Sequence, residues 1–137
     1  MIEVKVIERI PSVEEFISLR TAVGWGSPEV VAMEKGLKNS LFMVCAEFEG
    51  EIIGCGRVIG DSGFVYYLQD IIVLPKHQRQ GIGAKIMDSI MEYLNKHCVE
   101  KAIIGLMAAK GKESFYKKYG FIERPNDCLG AGMIQPF

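Results

Sequence analysis

The chain has 137 residues, with 49% hydrophobic and 24% charged residues and a formal net charge of −1. This length fits one globular domain with its own core. A near-neutral charge without blocks of like charges argues against partners such as nucleic acid or an anionic membrane surface. No apolar run approaches the ~20 residues that span a bilayer, and the N-terminus lacks the apolar core of a signal peptide. The sequence predicts a single domain over 1–137.

The cysteines give a second indication of compartment and chemistry. They stand at positions 45, 55, 98 and 128, without any C-x-x-C pair. Zinc sites and redox pairs usually use that close spacing, so no metal centre is predicted. Free cysteines are typically small buried hydrophobes, and reduced thiols are usual in the cytoplasm. We therefore predict a cytoplasmic protein without a bound metal.

Alternating patterns and turn residues predict the strands. Residues 2–8 alternate apolar and charged side chains, which is typical of a half-buried strand. Glu49-Gly50-Glu51 indicates a hairpin turn between the two β-rich runs that flank it. The predicted strands are residues 2–8, 41–48, 52–59, 64–74, 101–107, 121–124 and 132–137.

Start signals and a period of 3.6 residues predict four helices. Ser12 indicates the N-cap of the first helix. Ser27 indicates the N-cap of the second, with Pro28 at its first position. The predicted helices are residues 13–22, 29–38, 81–97 and 111–119. The order β-α-α-β-β-β-α-β-α-β-β predicts an α/β fold, in which about four helices flank a central twisted mixed sheet of six or seven strands.

The most informative segment is DIIVLPKHQRQGIGAKI, residues 70–86. An apolar strand leads through Pro75 and a polar loop to Gly81 and Gly83, at the start of the amphipathic helix. The first N–H groups of a helix lack internal partners, and the helix dipole adds partial positive charge there. Glycines let a polyanion approach those amides. The segment therefore favours a phosphate-binding turn.

The glycines have three other possible interpretations. A dinucleotide-binding G-x-G-x-x-G would need glycine where Ile86 stands. A Walker A loop would need G-x-x-x-x-G-K followed by serine or threonine, which the segment lacks. An ordinary glycine-capped turn without a ligand stays open as the plain structural alternative.

Two motifs give the sequence a family resemblance. Val73, Pro75, Gln78, Gly81 and Gly83 match the pattern V-x-P-x-x-[Q/R]-x-x-G-x-[G/A]. A second segment, FYKKYGF over residues 115–121, is similar to an F-Y-x-x-x-G-F signature. Both motifs, in this order of elements, resemble the GNAT superfamily of acyl-CoA-dependent N-acetyltransferases. The resemblance is firmest over residues 41–124.

The resemblance implies acetyl-CoA as the acyl-donor cosubstrate, bound without a metal. In the family, N–H groups of the glycine turn bind the coenzyme A pyrophosphate, and the preceding strand pairs with the pantetheine amides. That strand splays from the next one, here 101–107, and leaves a slot for the thioester. The cofactor-binding residues implied are Ile71, Ile72, Val73, Gln78, Arg79, Gln80, Gly81, Ile82, Gly83 and Ala84, with Lys112 and Lys118 near the phosphates.

Tyr116 is the catalytic residue that the resemblance implies. It matches a tyrosine that protonates, or hydrogen-bonds to, the departing coenzyme sulfur. Relatives place a basic glutamate or histidine on the coenzyme strand where this chain has Tyr67 and Gln69. Neither is a good base at neutral pH, so a water relay or capture of the unprotonated amine is expected. Asp70 is predicted to point to the opposite face from those two residues and to be structural, and His77 and His97 to be solvated.

The acceptor side is expected near Trp25, Tyr67 and Gln69. Trp25 lies between two glycines in the segment that joins the first two helices, where the family walls its acceptor site. An aromatic face suits an amine, although a core anchor is an equal alternative. The predicted acceptor is a primary amine of a small molecule, with a protein amine less favoured. A non-catalytic acyl-CoA-binding sensor and a nucleotide-binding domain are the rival functions, and a homodimer stays open.

Overall fold

A computed structural model describes residues 3–137, so the start of the first predicted strand, at Ile2, lies outside the described residues. The chain divides into two compact units, Met1–Ile104 and Gly105–Phe137. Across the part of the chain described, no helix combines the length and apolarity needed to cross a bilayer. The prediction of one domain over 1–137 stays a prediction.

The elements follow the predicted order as far as the last helix. The mixed α/β class is confirmed, with a sheet of five strands in the order β1-β2-β3-β4-β5 in the described part of the chain rather than six or seven. Neighbours from β1 to β4 pair antiparallel. The bounds are β1 Lys5–Glu8, α1 Val13–Ala22, α2 Val30–Lys38, β2 Phe42–Phe48, β3 Glu51–Gly60, β4 Val65–Val73, α3 Ile82–His97, β5 Ile103–Gly105 and α4 Glu113–Lys117, with a 3-10 turn over Pro75–His77.

The two predicted N-caps have different outcomes. Ser12 caps α1: its Oγ accepts the Glu15 N–H at 3.1 Å, and Glu15 Oε1 accepts the Ser12 N–H at 2.9 Å. This is a capping box, which satisfies two N–H groups at once. The Ser27 prediction is wrong, because Glu29 still has extended backbone angles (φ −62°, ψ 151°) and is itself the N-cap of α2.

The capping box predicts a pH-dependent stability. The Ser12 N–H, followed by Arg9, lowers the pKa of Glu15 below its ordinary value. A lowered carboxyl pKa stabilises the fold above the unfolded-state pKa, and the gain is lost as pH falls through the folded-state pKa. Glu15→Gln should cost about 0.5 kcal/mol at pH 7, at the low end because the side chain is 35% exposed.

Urea unfolding at pH 7 and at pH 3 measures that difference. Glu14→Gln, in the same first turn, is the matched control for removing a charge from the helix start. The difference between the two variants should shrink at pH 3. A loss of equal size at both pH values would show that the Glu15 carboxylate charge contributes nothing.

A bulge interrupts β4 at Asp70. Cys55 lies opposite Ile72 but Arg57 lies opposite Gln69, so β4 contains one residue more than β3 over this stretch. Asp70 takes up the extra length in the left-handed region, with φ +55°. Such a bulge shifts the alternation of side chains along its strand.

The bulge corrects the face predicted for Asp70. Gln69 lies opposite Arg57, and opposed residues of an antiparallel pair share a face. Asp70 Oδ2 accepts a hydrogen bond from Arg57 Nε at 2.9 Å and so lies on that same face. Tyr67 joins them by alternation, whereas Ile71 packs on the α3 side of the sheet near Gly56. Asp70 is therefore on the face of Tyr67 and Gln69, not opposite to it.

Close packing of α3 on the sheet depends on Gly56 of β3. A Cβ there would lie 2.8 Å from Ile86 Cγ2 and 2.9 Å from Ile71 Cδ1, closer than carbon atoms approach. The buried side chains of α3 recur with a helical period on the face that packs on the sheet, and Met91 beside them is half-buried. They are Ile82, Ile86, Met87, Ile90 and Leu94. α3 therefore packs directly on β3 at Gly56.

The second unit has less regular structure than predicted. The strands expected at 121–124 and 132–137 are absent from it, and α4 is shorter than the predicted 111–119. Instead, Asn126 Oδ1 accepts the N–H groups of Cys128 and Leu129 in a tight turn. Proline at 125 and 136 supplies no N–H for a ladder, and an apolar run without a paired neighbour does not form a strand.

Candidate functional site

The glycine-rich turn leaves β4 through a short 3-10 turn and enters α3. Arg79 and Gly81 both have positive φ, +63° and +79°, which reverse the chain sharply. The Gln78 side chain donates from Nε2 to the Val73 carbonyl at 2.9 Å and connects the turn to the end of β4. The motif glutamine thus has a structural role in this chain.

The start of α3 presents backbone donors. The first α-helical bond runs from the Lys85 N–H to the Gly81 carbonyl at 3.1 Å. The N–H groups of Gly81, Ile82 and Gly83 precede it and have no partner four residues back. Ile82 buries its side chain in the core, so only its backbone is offered. Residues 75–87 contain three Lys or Arg and no Asp or Glu, so this donor set fits a pyrophosphate.

His77 is buried, contrary to the prediction that it is solvated. Only 9% of its surface is exposed, and its ring meets Phe48 edge-on with centroids 5.6 Å apart. Its position in the 3-10 turn places the ring against Phe48, and its Nδ1 is buried without a hydrogen-bond partner among the described residues. His97, by contrast, is exposed and stacks on Tyr93 at 4.3 Å.

The last part of β4 extends past its neighbour β5. The Ile103 N–H donates to the Phe64 carbonyl at 2.8 Å, close to where both strands begin. β4 has nine residues and β5 has three, so β5 cannot cover the later part of β4. Ile72 is buried in the core, and Ile71 and Val73 are half-buried. The backbone edge of residues 71–73 therefore lies beyond the short strand.

Trp25 lies at the edge of the core on the α1 side of the sheet. It is half-buried against the cluster that includes Phe16 and Leu37. The Arg20 guanidinium carbon lies 5.6 Å from the centroid of its ring, within cation–π range. One aromatic face of Trp25 is thus already in contact with a cation. Tyr67 and Gln69 are half-buried on the same side of the sheet.

A buried ion cluster near these residues was not predicted from the sequence. Asp70 is 3% exposed and accepts hydrogen bonds from Arg20 Nη1 at 2.5 Å and from Arg57 Nε at 2.9 Å. One signal was available in the sequence: a carboxylate within the apolar run LQDIIV must find cationic partners when it is buried. Nothing in the pattern, however, identifies which arginines these are.

The second unit contains the remaining residues that were predicted for the site. Tyr116 lies on α4 between the rings of Phe115 and Phe121, with centroids 5.0 and 6.2 Å away. Burial raises the pKa of its phenol above the ordinary value, so the hydroxyl stays protonated at neutral pH. Lys112 and Lys118 flank α4 and are exposed.

Comparisons with known proteins identify one family of enzymes. The acetyltransferase (GNAT) domain family matches residues 24–134. A crystal structure of a Staphylococcus aureus protein of unknown function, described as a probable acetyltransferase, is 38% identical, with a TM-score of 0.90 over 98% of this chain and 100% of that one.

Two curated relatives are more distant. The uncharacterized N-acetyltransferase ycf52 of Pyropia yezoensis is 28% identical over 120 residues, which are 85% of this chain and 68% of that protein. The chloroplastic GCN5-related N-acetyltransferase 3 of Arabidopsis thaliana is 32% identical over 72 residues, 53% of this chain and 30% of that protein. With the family match and the geometry of the glycine turn, these similarities show that the chain belongs to the GNAT family of acetyltransferases.

Proposed function

We propose that this chain transfers an acetyl group from acetyl-CoA to the primary amine of a small molecule. The observation that carries the proposal is the start of α3, where backbone donors and cationic side chains meet at the end of β4. Family membership supports acetyl transfer. The donor and the acceptor are the proposed parts.

The coenzyme would be held mainly by backbone groups. The N–H groups of Gly81, Ile82 and Gly83 would bind its pyrophosphate, whereas the Gln78 N–H already donates to the Pro75 carbonyl at 3.2 Å. The edge of β4 over residues 71–73 would pair with the pantetheine amides. The lysines at 112 and 118 would contact its phosphates. Arg79 and Lys85 are exposed beside the turn and would add positive charge at its rim.

The chemistry requires little more than correct positioning. Acetyl-CoA supplies an activated thioester. A free amine attacks its carbonyl, and N–H groups of β4 stabilise the oxyanion that develops. Tyr116 donates its proton, or a hydrogen bond, to the sulfur that leaves. No side chain is assigned as general base, so the amine would lose its proton to water. Where Tyr116 gives its proton to the sulfur, the phenol would regain one from water.

Binding measurements separate this proposal from a nucleotide-binding function. Isothermal titration calorimetry should show that coenzyme A and acetyl-CoA bind more tightly than ATP or NAD. This chain lacks residues that the ATP-binding and NAD-binding glycine motifs require. Tighter binding of ATP or NAD would contradict the proposal.

Trp25, Tyr67 and Gln69 are proposed to line the acceptor side. Trp25→Leu keeps much of the apolar volume but removes the aromatic ring. We expect the amine KM to rise roughly three- to tenfold while the melting temperature falls by only a few degrees, since the side chain is already half-exposed.

Trp25→Phe is the matched control, because it retains an aromatic face. Its amine KM should stay closer to that of the wild type. If both variants instead lose much stability while the amine KM is unchanged, Trp25 is a core anchor beneath Arg20 and not part of the acceptor site.

The cytoplasmic location and the homodimer stay predictions. A chloroplastic protein is among the relatives, so fractionation of the native host cell is the appropriate test of compartment. Sedimentation equilibrium across a range of protein concentrations tests the dimer.

A further inference from the structure

The Asp70 carboxylate joins three segments of the first unit. Its oxygen atoms are shared between Arg20 on α1 and Arg57 on β3. Arg20 also donates from Nε and Nη2 to the Gly26 carbonyl at 3.2 and 2.6 Å, in the loop that carries Trp25. The carboxylate therefore connects the β4 bulge, through Arg20, to the acceptor-side loop.

The second arm of the cluster reaches the end of α2. Arg57 Nη1 donates to the Gly36 carbonyl at 3.4 Å and to Ser40 Oγ at 3.2 Å. The arginine side chains are only 18% and 17% exposed, and that of Asp70 is 1% exposed. A carboxylate this buried is tolerated only when it is fully paired, and removing its charge leaves two cations poorly balanced.

The backbone at Asp70 depends on the same contacts. A non-glycine residue at φ +55° is held against a conformational preference of about 1 kcal/mol or more. The Cys55 thiol donates to the Asp70 carbonyl at 3.2 Å and completes the restraint. The bulge immediately precedes Ile71, where the proposed coenzyme strand begins.

We propose that Asp70 is a positioning residue for acetyl transfer. Through its two arginines it fixes the bulge that aligns the β4 backbone and, at the same time, the Gly26 loop on the acceptor side. This inference rests on the proposed function. It goes beyond fold stabilisation, because it predicts kinetic losses that a destabilising change in the turn before β4 does not cause.

Asp70→Asn removes the charge with little change of shape, and asparagine tolerates the left-handed region. We expect kcat to fall roughly 10- to 100-fold, since small misplacements of reacting groups cost about that much. The amine KM should rise severalfold. The Kd of coenzyme A should change by a smaller factor than kcat, because the pyrophosphate turn stays intact even if the pairing of β4 with pantetheine is weakened. Steady-state kinetics and calorimetry on the full chain measure all three quantities.

Asp61→Ala is the matched control. The Asp61 carboxylate accepts the N–H groups of Gly63, Phe64 and Val65 in the turn that leads into β4, at the opposite end of that strand from the proposed coenzyme edge. Its loss should lower the melting temperature and leave kcat and the amine KM unchanged. If Asp70→Asn also loses only stability, Asp70 is structural and the inference is wrong.

A second variant separates the two arms if Asp70→Asn does not fold. Arg20→Lys keeps a charge beside Asp70, but one ammonium group cannot also reproduce the paired donors to Gly26. The amine KM should rise severalfold with kcat largely retained. An unchanged amine KM would overturn the link to the loop.

Hydrogen exchange tests the same link without turnover. In Arg20→Lys, amides of residues 24–27 should exchange faster than in the wild type, and those of residues 70–72 should be less affected. Equal protection in the loop would contradict the inference whatever the activity. A wild-type protein that acetylates no amine would instead count against the proposed function.

Discussion

Gly83→Glu is expected to weaken coenzyme A binding by more than about 2 kcal/mol, or roughly 30-fold in Kd. Gly83 is the second residue of α3, beside N–H groups that precede the first helical bond. A carboxylate there would occupy the approach to those donors and repel a pyrophosphate. Glutamate is a good helix former and suits a first turn, so the fold should be retained.

Gly83→Ala is the matched control, since it adds a Cβ at the same place without charge or reach. Alanine also satisfies the last position of the motif. Calorimetry on both variants should show near wild-type affinity for alanine and a large loss for glutamate. Unchanged affinity in a folded Gly83→Glu protein would contradict a pyrophosphate site at the start of α3.

Tyr116→Phe is expected to lower kcat roughly 10- to 100-fold while coenzyme binding and stability change little. A coenzyme thiol should titrate near the ~8.5 of a cysteine thiol, and an ordinary phenol near ~10. Burial raises the pKa of Tyr116 further, so its hydroxyl remains a proton donor at neutral pH. A positioned acid contributes about 10²–10⁴-fold, and the low end applies because a thiolate leaves readily.

Single-turnover kinetics measure this effect when chemistry limits the rate. Tyr119→Phe removes the other hydroxyl of the same aromatic group and should leave kcat near the wild-type value. The loss in Tyr116→Phe should appear in kcat and kcat/KM alike, which marks an interaction made in the transition state. If Tyr116→Phe reacts as fast as the wild type, the tyrosine is not the acid.

The sequence predicts best those elements that depend on neighbouring residues. The α1 cap needs only Ser12 and Glu15, three positions apart, and its helix was predicted with the observed bounds. The glycine turn and the apolar stripe of α3 are also local patterns, and α3 begins within one residue of the prediction. Such signals act within one or two turns, so a single sequence contains them completely.

Features that depend on distant residues were not predictable. The face of Asp70 depends on a bulge, and its partners are 50 and 13 residues away in the chain. Burial of His77 depends on Phe48, which belongs to a different strand. The predicted strands after residue 120 failed for a related reason, because strand formation requires a neighbour that the local pattern does not supply.

Acetyl transfer itself is tested most directly by mass spectrometry of acceptors incubated with the protein and carbon-13-labelled acetyl-CoA. A panel of aliphatic amines, amino acids, amino sugars and short peptides should contain at least one acceptor that gains the mass of one labelled acetyl group. Free coenzyme A should appear in equal amount, and the gain should be lost with Gly83→Glu. Tight acetyl-CoA binding without transfer to any amine would contradict the proposal and favour an acyl-CoA-binding sensor.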